Sequence, residues 1–268
     1  MKKSIIYILI SLLLFTSSSF AGATKEYGGF IGMNKNKVLK LKGYDVLVVD
    51  AQYLSARNIK RLHKSNKKIY SYLNVGSIEN FRPYYSQFKS IILGKYEDWP
   101  EESWVDVSSG KWQKFMFEKG KELRNKGIDG FFVDNADIYY ISPKQKIYNG
   151  LTTILKSLKT QSTDIIVNGG NAYVLKTIKN NRKPKYIDGI NQETVFSKID
   201  FENSRLLKQS ASSKSYYKSY CRRAKRAKLS VHLLEYTKSK SLIRKISRFC
   251  RAKGYKYYVS SSIELDQF

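Results

Sequence analysis

The strongest constraint on this chain is a rhythm. Eight short runs rich in β-branched and aromatic residues recur along it, separated by longer polar segments of helical period. The runs span 28–33, 44–50, 69–76, 128–134, 165–169, 186–193, 229–236 and 255–260. Their interiors are apolar almost throughout, as in Val46-Leu47-Val48-Val49 and Phe131-Phe132-Val133. A strand with one wet face alternates polar and apolar residues; a strand covered on both faces does not, and that is the habit of a parallel sheet under helices. Helices are expected over 55–65, 109–126, 144–159, 212–228 and 239–253. Ser55 stands where an N-cap belongs, and Gly127 and Gly254 follow Lys-containing last turns, where a left-handed residue stops a helix. The fold class is therefore α/β, a single (β/α)8 barrel of the TIM type over 24–268. The competing open doubly wound sheet lacks support, because no G-x-G-x-x-G follows the first run. With only four Pro and no linker-like stretch, one domain suffices. The longest interruption, 77–111, is expected to carry loop structure over the active face.

The first 23 residues do not belong to this rhythm. Lys2 and Lys3 precede an apolar run of 11 residues, Ile5 to Phe15, and a Ser/Thr-rich stretch ends at Ala21-Gly22-Ala23. A positive start, a short apolar core and an A-x-A site read as a secretory signal peptide, 1–23, too short to span a membrane comfortably. The expected location is secreted or cell-envelope associated, with no membrane span after cleavage. The two exported cysteines, Cys221 and Cys250, leave a disulfide and a pair of free thiols both open. Removing the leader leaves 47 basic residues against 22 acidic ones. Such an excess could hold an anionic polymer or nucleic acid. Its densest clusters, Arg222 to Lys228 and 238–253, fall on outer helices, away from the strand ends, and no nucleic-acid motif accompanies them. The charge reads as a surface property suited to an anionic cell envelope or matrix, with no specific nucleic acid as partner. Two His, His63 and His232, offer no metal-ligand spacing, and no cofactor motif is present; none is expected.

In a barrel of this kind the chemistry sits where strands end and βα loops begin. The second run ends at Asp50; the third in Asn74-Val75-Gly76-Ser77, with Glu79 and Arg82 beyond. The fourth ends in Asp134-Asn135-Ala136-Asp137, the fifth in Asn168, the sixth in Asn191-Gln192-Glu193, the seventh in Glu235-Tyr236. One acid at a strand end commonly caps the next helix. Acids and amides closing six successive strands would ring one end of the barrel with donors and acceptors, which a carbohydrate with its many hydroxyls requires. Trp104, with Tyr53, Trp99, Tyr139, Tyr140 and Tyr236, lies in or near the same loops, where rings could stack on sugar faces. Glycoside cleavage needs two carboxyl groups whose proton affinities are driven apart. Asp134, after the most apolar run, and Glu193, after two amides, form the best pair by position. Asp50, Asn74, Glu79, Arg82, Trp104, Asn135, Asp137, Asn168, Asn191, Gln192, Glu235 and Tyr236 are the candidate substrate contacts.

Four segments give these residues a family resemblance: Tyr44 to Asp50, Tyr72 to Arg82, Gly127 to Asp137 and Gly189 to Glu193, in that order and at barrel spacing. In them the chain resembles glycoside hydrolase family 114, the endo-α-1,4-polygalactosaminidase-like barrels. The resemblance implies hydrolysis of an α-linked galactosaminide or related amino-sugar polysaccharide; retention is expected, with a carboxyl separation of about 5–5.5 Å supporting it and about 6.5–9.5 Å supporting inversion. It also implies that Asp134 and Glu193 form the catalytic pair, taken here as nucleophile and general acid/base. Two departures stand out: the first run lacks the Trp- and Gln-containing motif expected there, and the chain is far more basic than sugar cleavage demands. A deacetylated galactosaminide polymer is itself cationic, so the resemblance requires a locally acidic cleft, an acetylated or acidic substrate, or another partner for the charge. A barrel that binds polysaccharide without cleaving it, and a basic surface protein that binds anionic polymers, are the alternatives.

Overall fold

A computed structural model describes residues 25–161, 163–180, 182 and 184–268; the expected leader over 1–23 lies outside them. In chain order the strands begin with β1 (Gly28–Phe30), β2 (Val46–Val49) and β3 (Lys68–Asn74). An insertion follows, made of β4 (Ser77–Glu79), β5 (Ile92–Lys95) and β6 (Glu102–Val105). Then come β7 (Gly130–Asp134), β8 (Asp164–Asn168) and β9 (Gly189–Glu193), a hairpin β10 (Ser197–Asp200) and β11 (Arg205–Lys208), and finally β12 (Ser230–Tyr236) and β13 (Lys256–Ser260). The eight runs of the sequence become one parallel sheet in the order β1-β2-β3-β7-β8-β9-β12-β13. Its first and last strands close on each other through side chains: the Phe30 and Tyr258 rings meet at 5.0 Å. The result is a nearly closed (β/α)8 barrel.

Residue parity explains the two cores. Val46, Val48, Tyr70, Tyr72, Phe132 and Ile166 cluster with Tyr27 inside the barrel, while Leu47, Val49, Ile69, Leu73, Phe131 and Val133 join the larger core beneath the helices. Successive side chains on a strand point to opposite faces, so runs that are apolar on both parities need both covers. The covering helices are α1 (Lys35–Val38), α2 (Ala56–His63), α3 (Gly110–Asn125), α4 (Ile138–Ile141), α5 (Gln145–Lys159), α6 (Asn171–Asn180), α7 (Ala211–Arg226) and α8 (Lys240–Lys253). Ser55 caps α2 in a reciprocal box with Asn58, and α8 stops at Gly254 in the left-handed region, as the sequence predicts. The α6 segment was not expected: its Tyr, Val, Thr and Ile residues favour strands over helices in isolation.

One further feature departs from expectation, and one alternative left open is decided. The interruption at 77–111 is more than loop; it holds a three-stranded antiparallel sheet in the order β4-β6-β5. Cys221 and Cys250 are buried free thiols. Among the described residues, no helix is long and apolar enough to cross a membrane.

Candidate active site

The strand ends of the barrel, the insertion and the β10–β11 hairpin enclose a cleft of about 1330 Å³. Nine acidic side chains line it against three basic ones. In a chain with 49 Lys and Arg and 22 Asp and Glu, this segregation is the reverse of the average surface. Trp99, from the insertion, and Phe201, from the hairpin, meet edge to face at 5.6 Å and both border the cleft.

The floor is built by strand parity. Asp134 ends β7 on the face of Phe132, Asn168 ends β8 on the face of Ile166, Glu193 ends β9 on the face of Asn191, and Tyr236 ends β12 on the face of Leu234. These four strands are neighbours in the sheet. Asn168 Nδ2 donates to Asp134 Oδ1 at 2.9 Å and to Glu193 Oε1 at 2.7 Å. The two N–H donors of one amide diverge, so the bridged oxygens lie about 5 Å apart. Asn191 Nδ2 donates to Asn168 Oδ1 at 2.7 Å, and the Tyr27 hydroxyl donates to Asn191 Oδ1 at 3.1 Å. That chain across the barrel fixes which end of the Asn168 amide faces the carboxylates. The Tyr236 hydroxyl donates to the other Glu193 oxygen, Oε2, at 2.7 Å. Asp134 Oδ1 also accepts from the Asn135 N–H at 2.9 Å, whereas Oδ2 accepts nothing among the described residues.

Burial raises both carboxyl groups. Asp134 is held well above the usual carboxylate range by desolvation, then by the charges of Glu193 and Glu102, against the Asn168 and Asn135 hydrogen bonds. Glu193 is raised by desolvation against the hydrogen bonds from Tyr236 and Asn168. Both groups therefore hold a proton more readily than an exposed carboxylate does. The residue after each carboxylate adopts a left-handed backbone, Asn135 at φ 62° and Thr194 at φ 56°. For a β-branched Thr this is unusual, and such strain gathers at working sites.

A third carboxylate arrives from the insertion. Glu102 Oε2 accepts from Ser77 Oγ at 2.5 Å, Asn135 Nδ2 at 3.0 Å and Asn74 Nδ2 at 3.2 Å. Burial raises it as well. Glu102 was missed in the sequence because 77–111 was read as loop; in the structure β6 pairs with β4 and sets Glu102 opposite Glu79. Along one wall, Arg82 bonds Asp50 Oδ2 and Glu79 Oε1, each at 2.9 Å, and lies beneath the exposed Tyr53 and Phe81 rings. Asp137 Oδ2 accepts from the Gly170 N–H at 2.9 Å, where Gly169 and Gly170 both take positive φ. Gln192 Nε2 is spent on the Glu193 carbonyl at 2.8 Å, while its buried Oε1 finds no donor.

Of the expected contacts, Asp50, Glu79, Arg82, Asn135, Asp137, Asn168, Gln192 and Tyr236 line the cleft with Asp134 and Glu193. Asn74, Trp104, Asn191 and Glu235 stand behind its wall. Asn74 turns back to Ser77 and Glu102, and Trp104 stacks on Tyr96 at 4.4 Å within the insertion. Asn191 serves Asn168. Glu235 has the opposite parity to Tyr236, so it leaves the cleft and accepts from the Phe196 and Ser197 N–H groups and from Ser197 Oγ. It thereby pins the strained segment that follows Glu193. Among the other aromatics, Tyr53 and Trp99 border the cleft; Tyr139 and Tyr140 do not. Among the described residues, no group of three or more His, Cys, Asp or Glu side chains is arranged to hold a metal ion.

Solved structures of the same shape exist at low identity. The glycoside hydrolase domain of PelA from Pseudomonas aeruginosa superposes with a TM-score of 0.76 at 15% identity, over 91% of this chain and 96% of that one. Ega3 from Aspergillus fumigatus, solved in complex with galactosamine, gives 0.67 at 16% identity, over 92% and 94%. An α-galactosidase from Thermus thermophilus gives 0.57 at 11%, over 88% and 58%. At these identities the likeness is one of fold. No curated protein matches the chain by sequence. The family model of glycoside-hydrolase family GH114 matches residues 30–268. With a barrel of eight parallel strands and two bridged carboxylates at its mouth, this chain belongs to glycoside hydrolase family 114 and is a glycosidase.

Proposed function

We propose that the chain cleaves an α-1,4-linked galactosamine polymer with retention of configuration, Asp134 acting as nucleophile and Glu193 as general acid and then base. One observation carries this reading: a single amide, Asn168 Nδ2, ties the two carboxylates together. The resulting separation of about 5 Å suits a nucleophile and an acid flanking one bond; an inverting pair needs about 6.5–9.5 Å for an intervening water. Asp134 Oδ2 has no hydrogen bond to give up before attacking the anomeric carbon. Glu193 delivers a proton to the departing glycosidic oxygen as that bond breaks. Water then attacks the glycosyl–Asp134 ester, Glu193 takes its proton, and Asp134 leaves as carboxylate. Burial, and then the charges of Glu193 and Glu102, favour the protonated form of Asp134. A cationic sugar beside Asp134 favours its carboxylate, the form that attacks, while burial favours the protonated Glu193 that the first step needs.

The lining supports a cationic substrate. Nine carboxylates are more than a neutral glycan needs, and Gln192 Oε1 awaits a donor. Galactosamine bound by a protein of the same fold is consistent with this chemistry. An acidic cleft also resolves the conflict between a basic chain and a basic polymer, since attraction is local and the excess charge lies elsewhere. The exposed Arg222, Arg223, Lys225 and Arg226 of α7 face outward, and we assign them to holding the exported protein on an anionic envelope or matrix.

The test is incubation with α-1,4-galactosamine polymer, scored by new reducing ends and by mass spectrometry. Asp134→Asn and Glu193→Gln should each lower kcat by about 10³-fold or more. Near-wild-type turnover in both variants, or no cleavage by the wild type, would refute the assignment.

A further inference from the structure

Glu102 is held in an unusual way for a structural carboxylate. Three donors, Ser77 Oγ, Asn135 Nδ2 and Asn74 Nδ2, all converge on Oε2. Among the described residues, Oε1 accepts no hydrogen bond and no Lys or Arg pairs with the group. The side chain lines the cleft, so the locked carboxylate presents one open oxygen to whatever occupies it. Its place is set by Asn135. That residue's side chain bonds Glu102 Oε2, while its backbone N–H bonds Asp134 Oδ1. Glu102 therefore flanks Asp134, and its charge is felt there.

Asp134 is the proposed nucleophile, so the carbon beside it is the anomeric C1. The substituent on C2 is one bond away, within reach of a group flanking the nucleophile. In galactosamine that substituent is an ammonium, with three N–H donors and no acceptor; in the N-acetylated sugar it is a neutral, bulkier acetamide with a carbonyl acceptor. We infer that Glu102 Oε1 receives the C2 ammonium of the sugar attacked by Asp134, and that Glu102 selects the free amine over the acetamide. This deepens the galactosamine reading and rests on it. Glu102 is a specificity residue and moves no proton in the reaction. A carboxylate facing an acetamide carbonyl would set acceptor against acceptor, so rejection of the acetylated sugar needs no further device. The insertion that brings Glu102 is thus what turns a general barrel mouth into a reader of the C2 position.

The inference is tested on the full chain with Glu102→Gln and Glu102→Asp. One arm measures kcat/KM on matched oligomers of α-1,4-galactosamine and of N-acetylgalactosamine. The other measures binding of galactosamine and of galactose by calorimetry, so that a readout exists without turnover. Glu102→Gln should lose about tenfold to a hundredfold on the galactosamine oligomer, the scale of a charge-assisted hydrogen bond, and its preference for amine over acetamide and over hydroxyl should collapse. Glu102→Asp, which keeps the charge, should retain the sign of the preference. A Glu102→Gln protein that is slower but has an unchanged preference would make Glu102 only a brace for Asn135, overturning the inference while leaving the galactosamine reading intact. Wild type that cleaves neither oligomer would sink that reading in its own arm. Wild type that binds galactosamine no better than galactose would overturn the inference directly.

Discussion

Removing the bridge between the two carboxylates gives the sharpest perturbation. Asn168→Ala deletes both donors, the 2.9 Å bond to Asp134 and the 2.7 Å bond to Glu193. A hydrogen bond to a charged group contributes about 1.5–3 kcal/mol, and water entering the gap restores part of it. A net loss of about 3 kcal/mol of transition-state stabilisation corresponds to about a 10²-fold fall in kcat. The pH dependence gives an independent signature. Asn168 stabilises the ionised form of each carboxyl group, so its loss raises both pKa values further, and both limbs of the kcat/KM profile should move to higher pH by about one unit. The deletion also strands Asn191 Nδ2, which is fully buried and donates to Asn168 Oδ1, so stability should fall by about 1–3 kcal/mol. Rates are therefore read well below the variant's melting temperature, as reducing ends released from galactosamine oligomer across pH 4–9. Turnover within about threefold of wild type, with unmoved limbs, would refute the reasoning that the bridge sets the pair.

Other expectations follow from the same contacts. Tyr236→Phe removes the 2.7 Å hydrogen bond to Glu193 Oε2 and should lower kcat about tenfold, with little change in melting temperature. Gly76→Ala would place a Cβ 1.7 Å from the Asn135 carbonyl oxygen; it should cost about 3 kcal/mol in urea unfolding and lower activity by shifting the turn after Asp134. Glu235 is raised by burial from 4.5 to about 7, so the folded state binds its proton more tightly than the unfolded state. Its contribution is fully present below about pH 4.5 and is lost as pH rises to about 7, amounting to at most about 3 kcal/mol. Denaturant titrations should therefore show the stability margin of wild type over Glu235→Gln shrinking across that interval, and a margin that grows would contradict the assignment.

The eight strands were legible because burial on both faces imposes a continuous apolar run, a pattern that tertiary context does not disguise. The position of Asp134 and Glu193 at the cleft was legible for a related reason: each is the first carboxylate after such a run, and strand parity sends it into the mouth. Asn74, Asn191 and Glu235 show the limit of that reasoning. A residue can close a strand and still point behind the wall, as Glu235 does by standing one position before Tyr236. Glu102 shows the opposite failure. It lies 28 residues beyond Asn74 in a polar stretch, and only the antiparallel pairing of β6 with β4 brings it to Asp134. Trp104 follows the same logic in reverse, since that pairing turns it onto Tyr96. The net charge of +27 was equally misleading read alone: the acids that matter are few, and folding gathers nine of them at one cleft.

The central claim is a retaining attack by Asp134 and Glu193, and the anomer released first tests it most directly. Proton NMR of galactosamine oligomer, recorded faster than mutarotation, should show the α-anomer appearing first and the β-anomer growing in afterwards. A β-anomer appearing first would mean that water attacks directly, and would contradict the bridged nucleophile–acid pair.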